Sequence, residues 1–198
     1  MQYILTPYSQ NQSSFAYWEN AFNDSELNWL QQKAKEGNQK AQVGGGVEDG
    51  VFAPNIRRSN LNWITNTLDT QWVFERLGHV VSSLNSQFFR FDLIGFGEHI
   101  QLTNYDCSEH GMYGWHVDFG TNSLSPSRKL SVVVQLSDAC EYEGGNLELK
   151  PSCNEVVKIR KQRGLIVAFP SWTLHQVTPV TEGSRQSLVS WITGPAFK

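Results

Sequence analysis

Leu130-Ser131-Val132-Val133-Val134-Gln135-Leu136 is the stretch that decides the fold class. Its β-branched run favours extended backbone. Similar short runs stand on both sides: Phe91-Asp92-Leu93-Ile94, Ile100-Gln101-Leu102-Thr103-Asn104-Tyr105 and Asn146-Leu147-Glu148-Leu149. Gly164-Leu165-Ile166-Val167-Ala168-Phe169 and Ser187-Leu188-Val189-Ser190-Trp191-Ile192 follow. Gly, Asn, Pro and Asp separate each run from the next. Short strands at regular spacing with turn signals between them predict a sandwich or barrel.

Upstream the pattern is helical. Asn23-Asp24-Ser25-Glu26 are cap-type residues, and Leu27, Leu30 and Ala34 follow at helical spacing. The spacing predicts a helix over 25–36, stopped by Gly37. A second helix starts near Asp69-Thr70 and puts Val73, Leu77, Val80, Val81 and Leu84 on one face. Tyr8, Phe15, Tyr17 and Trp18 suit an edge strand or a strap, and residues 57–64 read as one strand. The layout is α+β, mainly β: a double-stranded β-helix (jelly roll) core buttressed by N-terminal helices. At 198 residues a single domain is expected. In it, 1–87 form a helical support region integrated with a catalytic core over 88–198.

Composition narrows the function classes. Hydrophobic residues make up 39% and charged residues 18%, with seven Trp, which argues against a disordered chain. A net charge of −3 gives no strong nucleic-acid signal. The basic run Arg160-Lys161-Gln162-Arg163 reads as a solvated turn between strands. No apolar stretch is long enough to span a membrane, and the N-terminus lacks the pattern of a secretory leader. Cys107, Cys140 and Cys153 match no CxxC spacing and read as reduced thiols in a cytoplasmic protein. The glycines at 37, 44, 45, 46 and 50 have no phosphate-loop spacing.

The chemistry centres on His116-Val117-Asp118. In an extended strand, residues two apart share a face, so an imidazole and a carboxylate stand side by side. His175, on a facing strand, would complete a three-ligand set. Two His and one carboxylate on one face leave the opposite positions open, the geometry of non-haem Fe(II) oxygenases. The pattern HxD alone fits a polar or ion pair as well. Arg185, ten residues after His175, sharpens the reading. Pro179 and residues 181–184 read as a bend, after which Arg185 would return beside His175. A guanidinium inside a barrel needs an anion. That anion is an internal Asp or Glu, or a bound dicarboxylate held bidentately with help from Ser187.

Taken together, H-x-D, a distant His, and Arg-x-Ser ten residues later resemble the Fe(II)/2-oxoglutarate-dependent dioxygenases. The likeness is greatest to the prolyl-4-hydroxylase-like branch with its bacterial and phage PKHD-type hydroxylases. Tyr105, Trp115-His116-Val117-Asp118, Arg128-Lys129-Leu130-Ser131, Glu143-Gly144-Gly145-Asn146-Leu147 and 164–171 carry the resemblance over about 88–195. It implies that His116, Asp118 and His175 ligate Fe(II), and that no further side chain is catalytic. It implies that Arg185 holds the far carboxylate of 2-oxoglutarate, with Ser187 helping. Tyr105, Leu147, Val177 and Trp191 would line the co-substrate pocket, a role compatible with core packing. Gln135 stands where some relatives carry a tyrosine that contacts the co-substrate.

The implied reaction hydroxylates an unactivated C–H bond with O2, releasing succinate and CO2, with ascorbate as a candidate reductant. The substrate would be a peptidyl proline or another protein residue. Alternatives are a free amino acid or small metabolite, and a non-catalytic jelly-roll binding module. Tyr113, Trp115 and Trp172 flank the ligands as an aromatic rim or as core. His79, His99 and His110 fall outside the site. Specificity is expected in loops 37–55, 106–114 and 119–128.

Overall fold

The structure, a computed structural model, describes residues 13–43, 50–119 and 128–195. In chain order its elements are β1 (Ala16–Trp18), α1 (Asp24–Lys35), β2 (Gln39–Lys40), β3 (Arg57–Arg58), β4 (Asn60–Ile64) and α2 (Gln71–Leu84). Next come β5 (Gly95–Phe96), β6 (Ile100–Asp106), β7 (Met112–His116), β8 (Arg128–Gln135) and β9 (Tyr142–Gly144). The chain continues with β10 (Leu147–Ser152), β11 (Glu155–Lys158), β12 (Ile166–Pro170), β13 (Leu174–Val177) and β14 (Val180–Thr193).

The strands form two sheets, as the jelly-roll expectation requires. The major sheet runs β1-β12-β8-β14-β6-β4-β2, with β5 and β9 also paired to β14. The minor sheet runs β11-β10-β13-β7-β3. Alternation along the major strands sorts side chains between two faces. Leu130, Val132, Val134, Leu136, Leu188 and Ile192 point to one face and join the core formed with both helices. Val133, Gln135, Arg185, Ser187, Val189 and Trp191 point to the other face and line a cavity or its floor.

Both expected helices form close to the expected bounds. Asn23 caps α1 through a capping box: its side chain accepts from Glu26 N–H and its own N–H donates to Glu26, each at 2.9 Å. Gly37 follows because a Cβ there would lie 2.7 Å from the Leu61 backbone. On α2, Val73, Leu77, Val80, Val81 and Leu84 are all buried. A polar seam crosses this apolar face. Gln31 of α1 donates to Gln186 Oε1 (3.1 Å), Ser137 donates to the same oxygen (2.7 Å), and Gln186 donates to Asn104 (2.7 Å). Every member is satisfied, so the seam fixes how α1 sits on the sheet.

Three expectations change. Residues 91–94 are not a strand: the Asn85 side chain bonds both the N–H and the C=O of Phe91, taking up the groups a ladder would use. The run 57–64 is two strands. β3 pairs β7 in the minor sheet and β4 pairs β6 in the major one, so the chain changes sheets at Ser59. Residues 181–184 are strand, lying in β14 against β9. Gly183 makes that possible, at φ +64° and where a Cβ would be 2.0 Å from Glu141 O. The basic run at 160–163 ties strands to the N-terminal region: Arg160 pairs Glu19 and Arg163 bonds Asn28. Cys107 is half-buried and Cys140 and Cys153 are exposed, all as free thiols. Among the described residues no helix is long and apolar enough to cross a membrane.

Candidate metal centre

His116 is the last residue of β7, and His175 lies directly opposite it on the neighbouring strand β13. The pair therefore belongs to one sheet rather than to facing ones. Tyr113 stacks on the His116 ring at 3.5 Å between centroids, and Phe169 meets His175 edge-on at 4.8 Å. Each imidazole is held the same way. Nδ1 of His116 lies 2.8 Å from Gly114 O, and Nδ1 of His175 lies 2.9 Å from Thr173 O. A carbonyl only accepts, so Nδ1 carries the proton and donates it. That leaves each Nε2 lone pair aimed at the shared space.

Asp118 does not reach this space by strand alternation. It sits past the end of β7, in a bend. Its backbone N–H and that of Phe119 both donate to Ser171 O at 2.9 Å. Ser131 Oγ donates to Asp118 Oδ2 at 2.6 Å and lies 3.0 Å from Ser171 Oγ. Asp118 Oδ1 is then 3.7 Å from His116 Nε2, and Oδ2 is 3.5 Å from His175 Nε2. The ligand atoms of the three residues lie within 4.8 Å of one another, close enough to hold one metal ion.

The protonation states suit a cation. Burial, then the neighbouring His175, pushes the His116 imidazole well below its ordinary value. It is neutral at pH 7, as a ligand must be. Burial alone would raise the Asp118 carboxyl, but His175, His116, the Ser131 hydroxyl and Arg128 together hold it below the usual carboxylate range. Two imidazoles and one carboxylate on one face are the donor set of a ferrous site with open positions.

Across the cavity, Arg185 on β14 is 1% exposed. It lies on the major sheet, opposite the histidines and not beside His175 as a bend at 181–184 would have placed it. One Nη donates to Gln135 Oε1 at 2.8 Å and the other to Ser187 Oγ at 3.3 Å. Its Nε has no protein partner. The guanidinium sits 5.5 Å above the Tyr105 ring. Among the described residues no carboxylate pairs with it, which removes the internal ion pair as an explanation. A buried cation with only neutral partners and an idle N–H fits an incoming carboxylate.

The cavity between the sheets measures about 1120 Å³. Tyr105, Leu147, Val177, Ser187 and Trp191 line it, together with His116, Asp118, His175 and Arg185. Of the three rim aromatics only Tyr113 lines it; Trp115 is 40% exposed outside, and Trp172 packs on Phe91. His79 lies against Trp18 and His110 is exposed, but His99 lines the cavity mouth. From the expected specificity loops, Gln39, Gln42, Gly50 and Tyr113 reach the wall. Residues 44–49 and 120–127 of those loops, and Tyr8 of the expected strap, lie outside the described residues.

Two cavity groups escaped sequence reasoning. Arg128 donates to both oxygens of Glu98 at 2.6 Å and stacks 3.9 Å over the Trp191 ring. Arg57, on β3, is 7% exposed, lies 4.5 Å over the Tyr113 ring and bonds Ser59 Oγ at 3.1 Å. A charged residue inside an otherwise alternating strand was the available signal for Arg57.

Comparison with known proteins agrees with this geometry. Residues 100–193 match the family model of the 2OG-Fe(II) oxygenase superfamily. A PKHD-type hydroxylase of Synechococcus sp. (strain CC9605) is 44% identical over 80 residues, 40% of this chain and 36% of the relative. Another, from Synechococcus elongatus, is 30% identical over 127 residues, 62% of this chain and 56% of the relative. The chain thus spans about a third to a little over half of these relatives' lengths. Among solved structures, a Trichoplax adhaerens prolyl hydroxylase, in complex with a peptide fragment of the hypoxia inducible factor oxygen degradation domain, superposes with a TM-score of 0.76. It has 20% identity and covers 92% of this chain and 84% of that one. A Pseudomonas putida prolyl-4-hydroxylase gives 0.71 at 19% identity, covering 91% and 92%. These structural likenesses bear on the fold. The imidazoles and the carboxylate converge as the chemistry of that superfamily requires, and all three ligand residues fall inside the stretch 100–193 that its family model matches.

Proposed function

We propose that this protein is an Fe(II)- and 2-oxoglutarate-dependent hydroxylase acting on an unactivated C–H bond, with a peptidyl proline or another protein residue as substrate. The observation that carries the reading is one cavity with His116, Asp118 and His175 on one wall and, on the other, Arg185, whose Nε is idle and which has no carboxylate partner among the described residues. The likeness to PKHD-type hydroxylases and to prolyl hydroxylase folds supports it.

His116, Asp118 and His175 would hold the ferrous ion on one face. Arg185 would take the distal carboxylate of 2-oxoglutarate through its idle N–H and the edge facing Ser187. Tyr105 forms the surface on which that group rests, and Leu147, Val177 and Trp191 keep water from the reacting region. When bound, the ion and the keto acid supply the oxidising chemistry by which O2 oxygen enters succinate and the substrate, with loss of CO2. The chain itself contributes positioning and charge, and no side-chain nucleophile is needed. Ascorbate would serve as a reductant for the ion. The same chemistry on a free amino acid or small metabolite is the second reading; Arg57, which has no carboxylate partner among the described residues, favours it as a site for a small molecule's own carboxylate.

Titration of 2-oxoglutarate into Mn(II)-loaded protein tests the reading by calorimetry. One binding event is expected. Arg185→Gln should weaken it roughly 30-fold or more, the cost of about 2 kcal/mol for a buried charge partner, with Mn(II) affinity unchanged. Normal co-substrate affinity in that variant would show that the anchor lies elsewhere. Succinate release against a panel of peptides, free amino acids and nucleosides then identifies the substrate, and a folded, metal-loaded protein that binds no 2-oxoglutarate would leave only a binding module.

A further inference from the structure

Three guanidinium groups face the cavity, and they are not equivalent. Arg128 is neutralised by both oxygens of Glu98. Arg185 is the group to which the proposed function assigns the co-substrate. Arg57 is left over. It is 7% exposed, and its Nε donates to Ser59 Oγ. No acceptor for its two terminal nitrogens and no ion pair occurs among the described residues.

The charge balance singles Arg57 out. The carboxylates among the described cavity-lining residues are Glu98 and Asp118. Glu98 is spent on Arg128. In the loaded site, the two positive charges of the ion and the one of Arg185 would be balanced by Asp118 and the two carboxylates of 2-oxoglutarate. Among the described residues, Arg57 then remains as a buried cation with no carboxylate partner in the same cavity. The Tyr113 ring beneath it, at 4.5 Å, offsets part of its lost hydration but offers the N–H groups no acceptor. Tyr113 in turn stacks on His116, so the free edge of Arg57 lies one ring away from the ligand set. An anion there would sit beside the reacting position and not at the Arg185 end.

We infer that Arg57 is a specificity-determining residue that binds a carboxylate of the substrate, so that the hydroxylated molecule carries an anionic group next to the reacting carbon. The inference rests on the proposed function and narrows its substrate class. A planar guanidinium with two free N–H groups takes a carboxylate bidentately. Three sources share that chemistry: the α-carboxylate of a free amino acid, the C-terminus of a peptide, and an Asp or Glu side chain within one.

The test uses the full chain loaded with Mn(II). 2-Oxoglutarate is titrated first and read separately; its failure to bind sinks the oxygenase reading, and the next step still runs on the same protein. Matched pairs are then titrated: free L-amino acids against their amides, N-acetyl dipeptides with free against amidated C-termini, and amidated peptides containing Asp or Glu against Asn or Gln. In at least one class the acid should bind roughly tenfold or more tighter than its neutral partner. That class names the source. The gap should close in Arg57→Gln and survive in part in Arg57→Lys, which keeps the charge, while both variants bind 2-oxoglutarate as the parent does. A merely structural role through the Tyr113 contact would leave acid and amide equally affected. Acids and amides binding alike throughout the panel, or a gap that persists in Arg57→Gln, would overturn the assignment.

Discussion

The two faces of the major sheet are built from the same strands and do opposite work. Along β8 and β14 the residues facing the helices are Leu130, Val132, Val134, Leu188 and Ile192, all at most 2% exposed and in contact with α1 and α2 residues. Between them in sequence, Ser131, Gln135, Arg185 and Ser187 are just as buried yet point to the cavity. Burial alone does not distinguish the faces. What differs is how the buried groups are satisfied: apolar contact on one side, and hydrogen bonds aimed at a charged centre on the other. Period-2 alternation lets one strand serve stability and chemistry without compromise. Substitutions on the two faces should therefore separate folding from binding.

The largest effect is expected across the cavity from that sheet. Asp118→Ala removes the only carboxylate of the ligand set and should abolish specific Mn(II) or Fe(II) binding, read by equilibrium dialysis, while the protein still unfolds cooperatively. A metal affinity within tenfold of the parent would show that the three residues are not one centre. Leu188→Ala, on the helix-facing side, should cost about 2–5 kcal/mol of stability in urea and leave 2-oxoglutarate affinity unchanged in the folded fraction. Loss of affinity without loss of stability would break the separation of faces. Ser131→Ala, one face over, should do the reverse. It deletes the hydrogen bond to Asp118 Oδ2 and should lower metal affinity roughly 10- to 100-fold, with little change in the urea midpoint.

The smallest effect concerns alkaline pH. Burial raises the Tyr113 phenol above its ordinary value, so the folded state prefers it protonated. Its contribution is fully present below about pH 10, the unfolded value, and is lost as pH rises through the higher folded value. Tyr113→Phe should flatten part of the stability loss seen above pH 10 in thermal melts. An unchanged alkaline slope would place the titrating group elsewhere.

Local chemistry made much of this readable in advance. The capping residues at 23–26, the helical face at 73–84 and the runs at 100–105 and 130–136 are short-range patterns, and each became the expected element. The spacing of His116, Asp118, His175 and Arg185, read together with the family resemblance, pointed to one site, and all four line one cavity. Long-range pairing was what the sequence could not carry. Residues 57–64 look like one strand until β6 and β7 claim its two halves for different sheets. Asp118 looks like a strand residue until the Ser171 carbonyl draws its N–H out of the ladder. Phe91–Ile94 has strand composition, but the Asn85 side chain offers closer partners than any neighbouring strand. In each case a contact from a distant or side-chain group competed with local preference and won.

Each imidazole at the centre is steadied by the carbonyl two residues earlier in the chain, Gly114 within β7 for one and Thr173 just before β13 for the other. The tautomer is therefore dictated by main chain, with no remote side chain required to hold it. Ligand aim becomes a property of the β7–β13 ladder, whose register sets His116 opposite His175 with ring centroids 4.1 Å apart and ring planes tilted by 51°. Any fraying of that ladder swings both rings out of line at once, so release of the bound ion should be governed by the opening of this strand pair.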